Sequence, residues 1–594
     1  MPETTNYIEQ GKRKGFLKVE GINIFYVKSG NYKTRWGGSD PEEQVRASFY
    51  VELIEKYQYQ PERIKLEVTV PRRTPADRAD IVVYEDDECK KPYLVVECKK
   101  DGISDAEFRQ AIEQVFGNAN SLRAKYAIVV AGETRSAFDV AGFKPSEREK
   151  NVISDIPVKY GKAPKYRFIK GDEINDLKEV SKEDLIRALQ KSHDTVWQGG
   201  RLAPTTAFDE VAKLLFCKLK DEKDTTKGKP YKFQIGTHET ADEVFNRINE
   251  IYQKAKKEDA EVFKEDIRLE SPIVYSVVEH LQGIAFVKTD LDTKGVAFET
   301  FMTDFFKGKM GQFFTPREII RFMVKMLNPT KDEIILDPAA GSGGFLLNSM
   351  DNVREYAKEN YDDREAWEHW HNFAKNNLYG IEINDQIARV CKMNMIIHDD
   401  GHTNVISTDA LQDFENIQNI HKKFKKDYFD IVLTNPPFGA TIKATEKDYL
   451  DKFELGAKFK KRKNQKTEIL FIERTIQFVK PGTGRIGIVL PDGILTNSSL
   501  QYVRDFIMER CQILAVVSLP QFAFTHYGAG VKASLVFLRR KARGEKSKNY
   551  PIFMAIAEHI GYDATGRKDP VNDLDKILEE YHKFEENPRG YKGV

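Results

Sequence analysis

Six short apolar runs between residues 311 and 560, at 334–336, 378–383, 431–434, 486–490, 514–519 and 533–538, alternate with helical stretches. Strands of that length separated by helices predict a mixed, mostly parallel sheet with helices on both faces, since each parallel crossover needs a connection long enough to return the chain. At 594 residues the chain exceeds what one core serves, and about three domains are expected. The boundaries read as 1–165, 175–305, 306–560 and 561–594: an α/β region, a helical connector, the alternating region and a charged helical tail. The net charge of +1 excludes nothing, because a basic face can be balanced elsewhere. The five cysteines, Cys89, Cys98, Cys217, Cys391 and Cys511, have no metal-pair spacing and suggest no disulfide framework. The first fifteen residues lack the apolar core of a signal peptide, and no run of about 18 apolar residues occurs. A soluble, cytoplasmic protein is expected.

Within the alternating region, Thr434-Asn435-Pro436-Pro437-Phe438-Gly439 follows the run Asp430-Ile431-Val432-Leu433. The Asn435 side-chain oxygen and the Pro436 carbonyl can both accept from one NH2 group, Pro437 stiffens the loop, and Phe438 offers a stacking face. Such a loop suits a planar exocyclic amine. Its plain reading is a proline-rich turn after a strand.

Upstream, Asp337-Pro338-Ala-Ala-Gly341-Ser342-Gly343-Gly344 closes a strand with a tight glycine turn that leads into a helix. Glycines let the backbone bend and a ligand approach without Cβ interference. Asp337 at the strand's carboxyl end suits an ammonium group, as on S-adenosylmethionine, while a dinucleotide-binding turn is the competitor. Glu382, ending the next strand, is placed to accept from ribose hydroxyls, or is a solvated strand-end acid. Asp409 could accept from a cofactor adenine amine, or cap the following helix.

The N-terminal region carries a second constellation. Asp40-Pro41-Glu42-Glu43 begins a helix, with Asp40 as cap and Glu43 able to close a capping box. Strands are expected at 64–70, 79–84, 93–98 and 126–130. Asp80 lies on one of them; Glu97 and Lys99, two residues apart, share one face of the next. An Asp beside a Glu-x-Lys can hold Mg2+ and set a cation near an attacking water, although an exposed ion pair would read the same way.

In order and spacing, the residues from about 202 to 562 resemble the N6-adenine DNA methyltransferases, specifically the modification subunits of type I restriction–modification systems. The resemblance includes Gly311-Gln-Phe-Phe-Thr315-Pro316-Arg317, Leu202 to Leu219 and Gly561-Tyr562. It implies a Rossmann-like methyltransferase in which Thr315, Pro316, Asp337, Pro338, Gly341, Ser342, Gly343, Glu382, Asp409 and Asn435 hold S-adenosylmethionine. Asn435, Pro436, Pro437 and Phe438 would act on adenine flipped out of double-stranded DNA. Related loops also serve protein-glutamine and RNA methyltransferases. Residues 40–135 resemble the PD-(D/E)xK nuclease core and the nuclease region of type I restriction subunits. That implies catalysis by Asp80, Glu97 and Lys99, with Mg2+ held by Asp80, Glu97 and Glu43. Gln110 matches that family's glutamine; Gln114 stands where its tyrosine is expected.

The basic stretch Lys458-Phe-Lys460-Lys461-Arg462-Lys463-Asn-Gln-Lys466 could grip phosphates or be a solvated loop, and 223–232 reads as a surface loop. After the catalytic sheet no separate region large enough to read base edges is seen, and the resemblance implies a separate specificity subunit and a hetero-oligomer. No helicase-type P-loop occurs. The expected whole is a bifunctional restriction–modification subunit, as in type IIB or IIG-like enzymes; the alternative is a methyltransferase whose nuclease-like domain does not cut.

Overall fold

The structure, a computed structural model, describes residues 7–593 apart from 37–39, 72–76, 133, 143–147, 198–200, 259–264, 290–292, 294, 296, 299, 301–314, 399–403, 444–447, 459–463, 526–529 and 547–548. The chain divides into two compact units. The first comprises Met1–Glu179, Cys217–Ile251 and Leu269–Ala285; the second comprises Val180–Phe216, Tyr252–Arg268 and Phe286–Val594. No described helix is long and apolar enough to cross a membrane.

In the first unit, β1 (Leu17–Glu20), β2 (Asn23–Tyr26) and β3 (Tyr32–Arg35) form an antiparallel meander. The main sheet runs β4 (Ile64–Val70), β5 (Asp77–Tyr84), β6 (Pro92–Lys99), β7 (Tyr126–Ala131), β8 (Thr134–Asp139) and β9 (Val152–Ile153). Only β6 and β7 pair in parallel, across the helix Asp105–Leu122. The two-residue period of a strand sends alternate side chains to two cores. Ile81, Val83 and Leu94 join Tyr50 and Leu53 of the helix Pro41–Glu55 on one face, and Val82 and Val95 join Val115 and Phe116 on the other. Asp40 caps the helix Pro41–Glu55 through Glu43 N–H at 3.2 Å. The capping box does not close, because the Glu43 carboxylate is engaged by Tyr26 and Arg46 instead.

The second unit holds an eight-stranded sheet. Its strands in chain order are β10 (Ile335–Asp337), β11 (Leu378–Glu382), β12 (Asn404–Ser407), β13 (Ile431–Thr434), β14 and β15 (a separate hairpin, Thr441–Lys443 with Asn464–Lys466), β16 (Arg485–Pro491), β17 (Cys511–Ser518), β18 (Ala533–Arg540) and β19 (Phe553–Ile556). Spatially the order is β12-β11-β10-β13-β16-β18-β17-β19, parallel from β12 to β16 and reversed at β18. One core contains Met323, Phe345 and Leu433 and the other Leu336, Val432 and Ile472, so helices cover both faces as the apolar runs predict. From β10 the chain crosses to β11 on one side, and β13 later fills the other. This reversal opens a crevice at the strands' carboxyl ends, where ligands bind in such sheets. The charged tail contains the hairpin of β20 (Ile560–Tyr562) with β21 (Lys568–Asn572), then the helix Asp573–Glu586, which buries Leu574, Ile577, Tyr581 and Phe584.

Candidate active site

Asp337, the last residue of β10, is buried, and its Oδ1 accepts from Ala339 N–H at 3.0 Å. Burial pushes its carboxyl up to about 7 against the opposing pull of that backbone donor. Pro338 beside it is also buried. In the turn that follows, Gly341 and Gly343 take φ of +52° and +87°, a left-handed backbone that favours glycine. A Cβ on Gly341 would meet nothing within 4 Å, leaving open space above the turn, whereas one on Gly343 would lie 2.9 Å from Cys391 Sγ. Gly343 caps the helix Gly344–Asn360, and Asn394 Nδ2 donates to the Ser342 carbonyl at 3.0 Å. Glu382 ends β11 and is tied to the turn: Gly341 N–H donates to its Oε2 at 3.0 Å and Asn384 N–H to its Oε1 at 2.9 Å. Burial raises its carboxyl, with those donors opposing. Asp409, half-buried after β12, accepts from Leu411 N–H at 2.9 Å, a local turn contact.

Asn435 follows β13, the strand paired beside β10, so it and Asp337 stand at the carboxyl ends of neighbouring strands. Its Nδ2 donates to Thr315 Oγ1 at 2.9 Å, while its Oδ1 is buried and has no hydrogen-bond partner among the described residues. Pro436 is buried, Pro437 exposed, and Phe438 half-buried against the core that includes Leu433. Gly439 turns the loop at φ +79°, with its N–H donating to Glu468 Oε2 at 3.2 Å. The Ala440 carbonyl accepts from Thr467 N–H at 3.0 Å and from Thr467 Oγ1 at 2.9 Å. The loop is thus held by Thr315 at one end and by the start of the helix Thr467–Phe478 at the other. Thr467 and Glu468 were not foreseen, since they belong to no motif around the loop and lie 28 and 29 residues beyond Gly439. Pro316 caps the helix Arg317–Leu327. Residues 311–314 of the expected cofactor segment lie outside the described residues, as do Lys460, Lys461, Arg462 and Lys463 with the side chain of Lys458.

In the first unit, Asp80, Glu97 and Lys99 come together. Lys99 Nζ donates to Glu97 Oε1 at 2.8 Å, and Asp80 Oδ2 accepts from Cys98 N–H at 2.6 Å. Glu97 Oε2 is buried without a hydrogen-bond partner among the described residues. Burial raises both acids, with the Asp80 charge adding to the upward shift on Glu97 and the Lys99 ammonium opposing it. Glu43, expected as a third metal ligand, instead forms a buried ion pair with Arg46, whose Nη1 also lies 3.6 Å from Asp80 Oδ1 and contacts Glu67. Among the described residues no group of three or more His, Cys, Asp or Glu side chains is arranged to hold a metal ion. Asp80 and Glu97 alone fall short of the three-carboxylate Mg2+ site.

Residues 289–593, just over half of the chain, match the family model for N-6 DNA Methylase. The chain belongs to the N-6 DNA methylase family. In that family setting, residues 41–157 additionally match the model for the type I restriction enzyme R protein N terminus. The methylase-family chain is 31% identical over 235 residues to the EcoEI methylase subunit, a type I restriction enzyme subunit of Escherichia coli, covering 39% of this chain and 43% of that one. It is 27% identical over 242 residues to the EcoKI methylase subunit of Escherichia coli strain K12, covering 39% and 41%. The chain therefore spans about two fifths of the length of these relatives. A solved chain of a type I R-M system shares its fold, with a TM-score of 0.50 at 20% identity over 70% of this chain and 85% of that one.

Proposed function

We propose that this chain transfers a methyl group from S-adenosylmethionine to the N6 amine of adenine in duplex DNA, as a modification subunit working with a separate specificity subunit. The observation that carries this reading is the buried Oδ1 of Asn435, without a hydrogen-bond partner among the described residues, at the end of the strand beside that of the buried acid Asp337. An orphaned acceptor is costly unless a ligand donor meets it. Adenine's exocyclic NH2 supplies such donors, and Phe438 supplies a stacking face worth about 1–3 kcal/mol per base. Family membership and the two methylase-subunit relatives support the same reading.

Each residue then has a task. Asp337 receives the ammonium of the cofactor's methionine, Pro338 and the Gly341-Ser342-Gly343 turn give it close backbone approach, and Pro316 sets the helix beside it. Glu382 holds the turn and accepts from the ribose, and Asp409 accepts from the cofactor's adenine. Asn435 and the Pro436 carbonyl accept from the target amine, draw its lone pair out of conjugation and aim it in line with the methyl; the proton leaves after transfer. Positioning and preorganised acceptors do most of the work. When bound, the cofactor supplies the electrophilic methyl group. The test is Asn435→Ala in the full chain with a co-expressed specificity subunit. Methyl incorporation should fall by about 10²-fold or more while cofactor binding persists; near-wild-type incorporation would refute the assignment.

A second reading, DNA cleavage by the first unit, is favoured by the Lys99–Glu97–Asp80 arrangement and the orphaned Glu97 Oε2. The match to a restriction-subunit N terminus supports shared ancestry, and Glu43's pairing with Arg46 favours a unit that does not cut. Supplying Mg2+ to wild type and to Lys99→Ala tests it: cleavage lost in the variant supports the second reading, and no cleavage in either supports a first unit that does not cut.

A further inference from the structure

Thr315 and Asn435 are 120 positions apart in sequence, yet among the described residues it is the contact between their side chains that fixes which way the Asn435 amide faces. A carboxamide has two ends of nearly equal size and opposite chemistry. One end is an NH2 with two protons to place; the other is an oxygen with lone pairs. If the amide turned over, the group presented to an incoming amine would be a second amine, which cannot accept. In this structure the Thr315 hydroxyl oxygen takes a proton from Nδ2 at 2.9 Å, and the oxygen end is left buried with no partner among the described residues.

The remaining anchors of the loop act on its backbone. Glu468 and Thr467 bind Gly439 N–H and the Ala440 carbonyl. Pro436 and Pro437 restrict the chain path. None of these senses the rotation of the Asn435 amide. Thr315 directly precedes Pro316 and the helix Arg317–Leu327, whose Ile319, Ile320 and Met323 are packed in the core, so its hydroxyl stands on a fixed platform.

We infer that Thr315 is a positioning residue that selects the reactive orientation of Asn435, by accepting from Nδ2 so that Oδ1 faces the target amine. This rests on the methyltransferase reading above and adds to the cofactor contact expected of Thr315. Threonine's hydroxyl, and not its methyl, carries the role, so serine should replace it and isosteric valine should not.

The experiment compares wild type, Thr315→Ser and Thr315→Val as full chains with a co-expressed specificity subunit. It measures transfer of labelled methyl to unmethylated genomic DNA at saturating S-adenosylmethionine. Thr315→Val should lose kcat by about 10²-fold with KM for DNA and the thermal melting point near wild type, and Thr315→Ser should recover most of it. A structural role alone would lower the melting point or shift KM without rescue by serine. Neutron crystal structures of the wild type and Thr315→Val, which distinguish NH2 from oxygen, give a readout independent of turnover: the Asn435 amide should be single in the first and turned or split in the second. Full-rate transfer by Thr315→Val, or an unchanged amide in its crystal, overturns the inference. A wild type that transfers no methyl would instead count against the proposed function, with the crystal pair still deciding the role of Thr315.

Discussion

Arg389 grips Asp209 with two hydrogen bonds, Nε to Oδ1 at 2.5 Å and Nη2 to Oδ2 at 2.9 Å, and both residues are about 1% exposed. Lys213 joins them, 3.5 Å from Asp209 and 2.6 Å from Glu210, so the second unit encloses a charge cluster with matched signs. Arg389 lies on the helix Asp385–Ile397, which also places Cys391 against Gly343 and Asn394 on the Ser342 carbonyl. The pair therefore supports the wall of the glycine turn.

Removing one partner leaves a charge buried without its counterion. Asp209→Ala should destabilise the second unit by about 3–5 kcal/mol, whereas the double change Asp209→Leu with Arg389→Met should cost far less than the sum. Denaturant melts of the full chain check this. Equal and additive losses would mean that the pair contributes only as two separate side chains.

The role proposed for Asp337 predicts that cofactor binding depends on pH. Its folded value of about 7 lies above the ordinary carboxyl range, so the cofactor-free protein holds an extra proton between roughly pH 4 and 7. That contribution to stability is full below about pH 4 and is lost as pH rises through 7. An ammonium ligand needs the ionised acid, so affinity should rise by up to about tenfold per pH unit below 7 and level off above it. Asp337→Asn should bind weakly at every pH and melt higher than wild type at pH 8 without cofactor. Calorimetric titration with sinefungin from pH 5.5 to 8.5 reads the slope, and a flat wild-type profile would contradict the role given to Asp337.

The expected strands were legible because each is a compact apolar run, whereas shorter or more polar ones such as β8, β12 and β19 were not foreseen. The predicted 431–434 coincides with β13, and 64–70 with β4, while most others shift by one to three residues at their ends. The positions of Asp337, Glu382 and Asn435 could be read for the same reason: all three stand at the carboxyl ends of such runs. Their partners could not. The contact of Asn435 with Thr315, the hold of Glu468 on Gly439 and the bond from Gly341 to Glu382 join side chains or turns brought together by the sheet order. No local pattern records that order. Glu43 shows the same limit, because helix spacing permits a capping box and only the fold reveals Arg46 and Tyr26 as its partners.

The two turn glycines should fail differently. Gly343→Ala places a Cβ 2.9 Å from Cys391 Sγ in a left-handed backbone, which costs about 1–2 kcal/mol from the backbone alone and more from the contact. Gly341→Ala carries similar backbone strain, but its Cβ enters open space. It should therefore leave the melting point closer to wild type while weakening S-adenosylmethionine more than its stability loss explains. Paired melting and binding measurements distinguish them. Equal binding losses would show that the open side of Gly341 does not face the ligand.

Arg46 is the keystone of the first unit's charged cluster, pairing with Glu43 and Glu67 and standing 3.6 Å from Asp80. Glu67 sits in the left-handed region at φ +51°, and the β4–β5 ladder passes from Leu66–Ile81 to Val68–Ala79 with Glu67 and Asp80 left out between. That backbone costs about 1–2 kcal/mol for a residue with a Cβ, an expense the ion pair to Arg46 helps offset. Arg46→Met should loosen β4 to β6 by about 3–5 kcal/mol, because Glu43 is then buried without its cation. Arg46→Lys should recover only part, since one ammonium cannot fork between two carboxylates. Glu67→Gly should be milder than Glu67→Ala by about 1 kcal/mol, as glycine removes the strain while both lose the charge. Hydrogen exchange along β4 and β5 of the full chain measures each effect. If Glu67→Ala exchanged no faster than Glu67→Gly, the left-handed backbone at this position would carry no energetic weight.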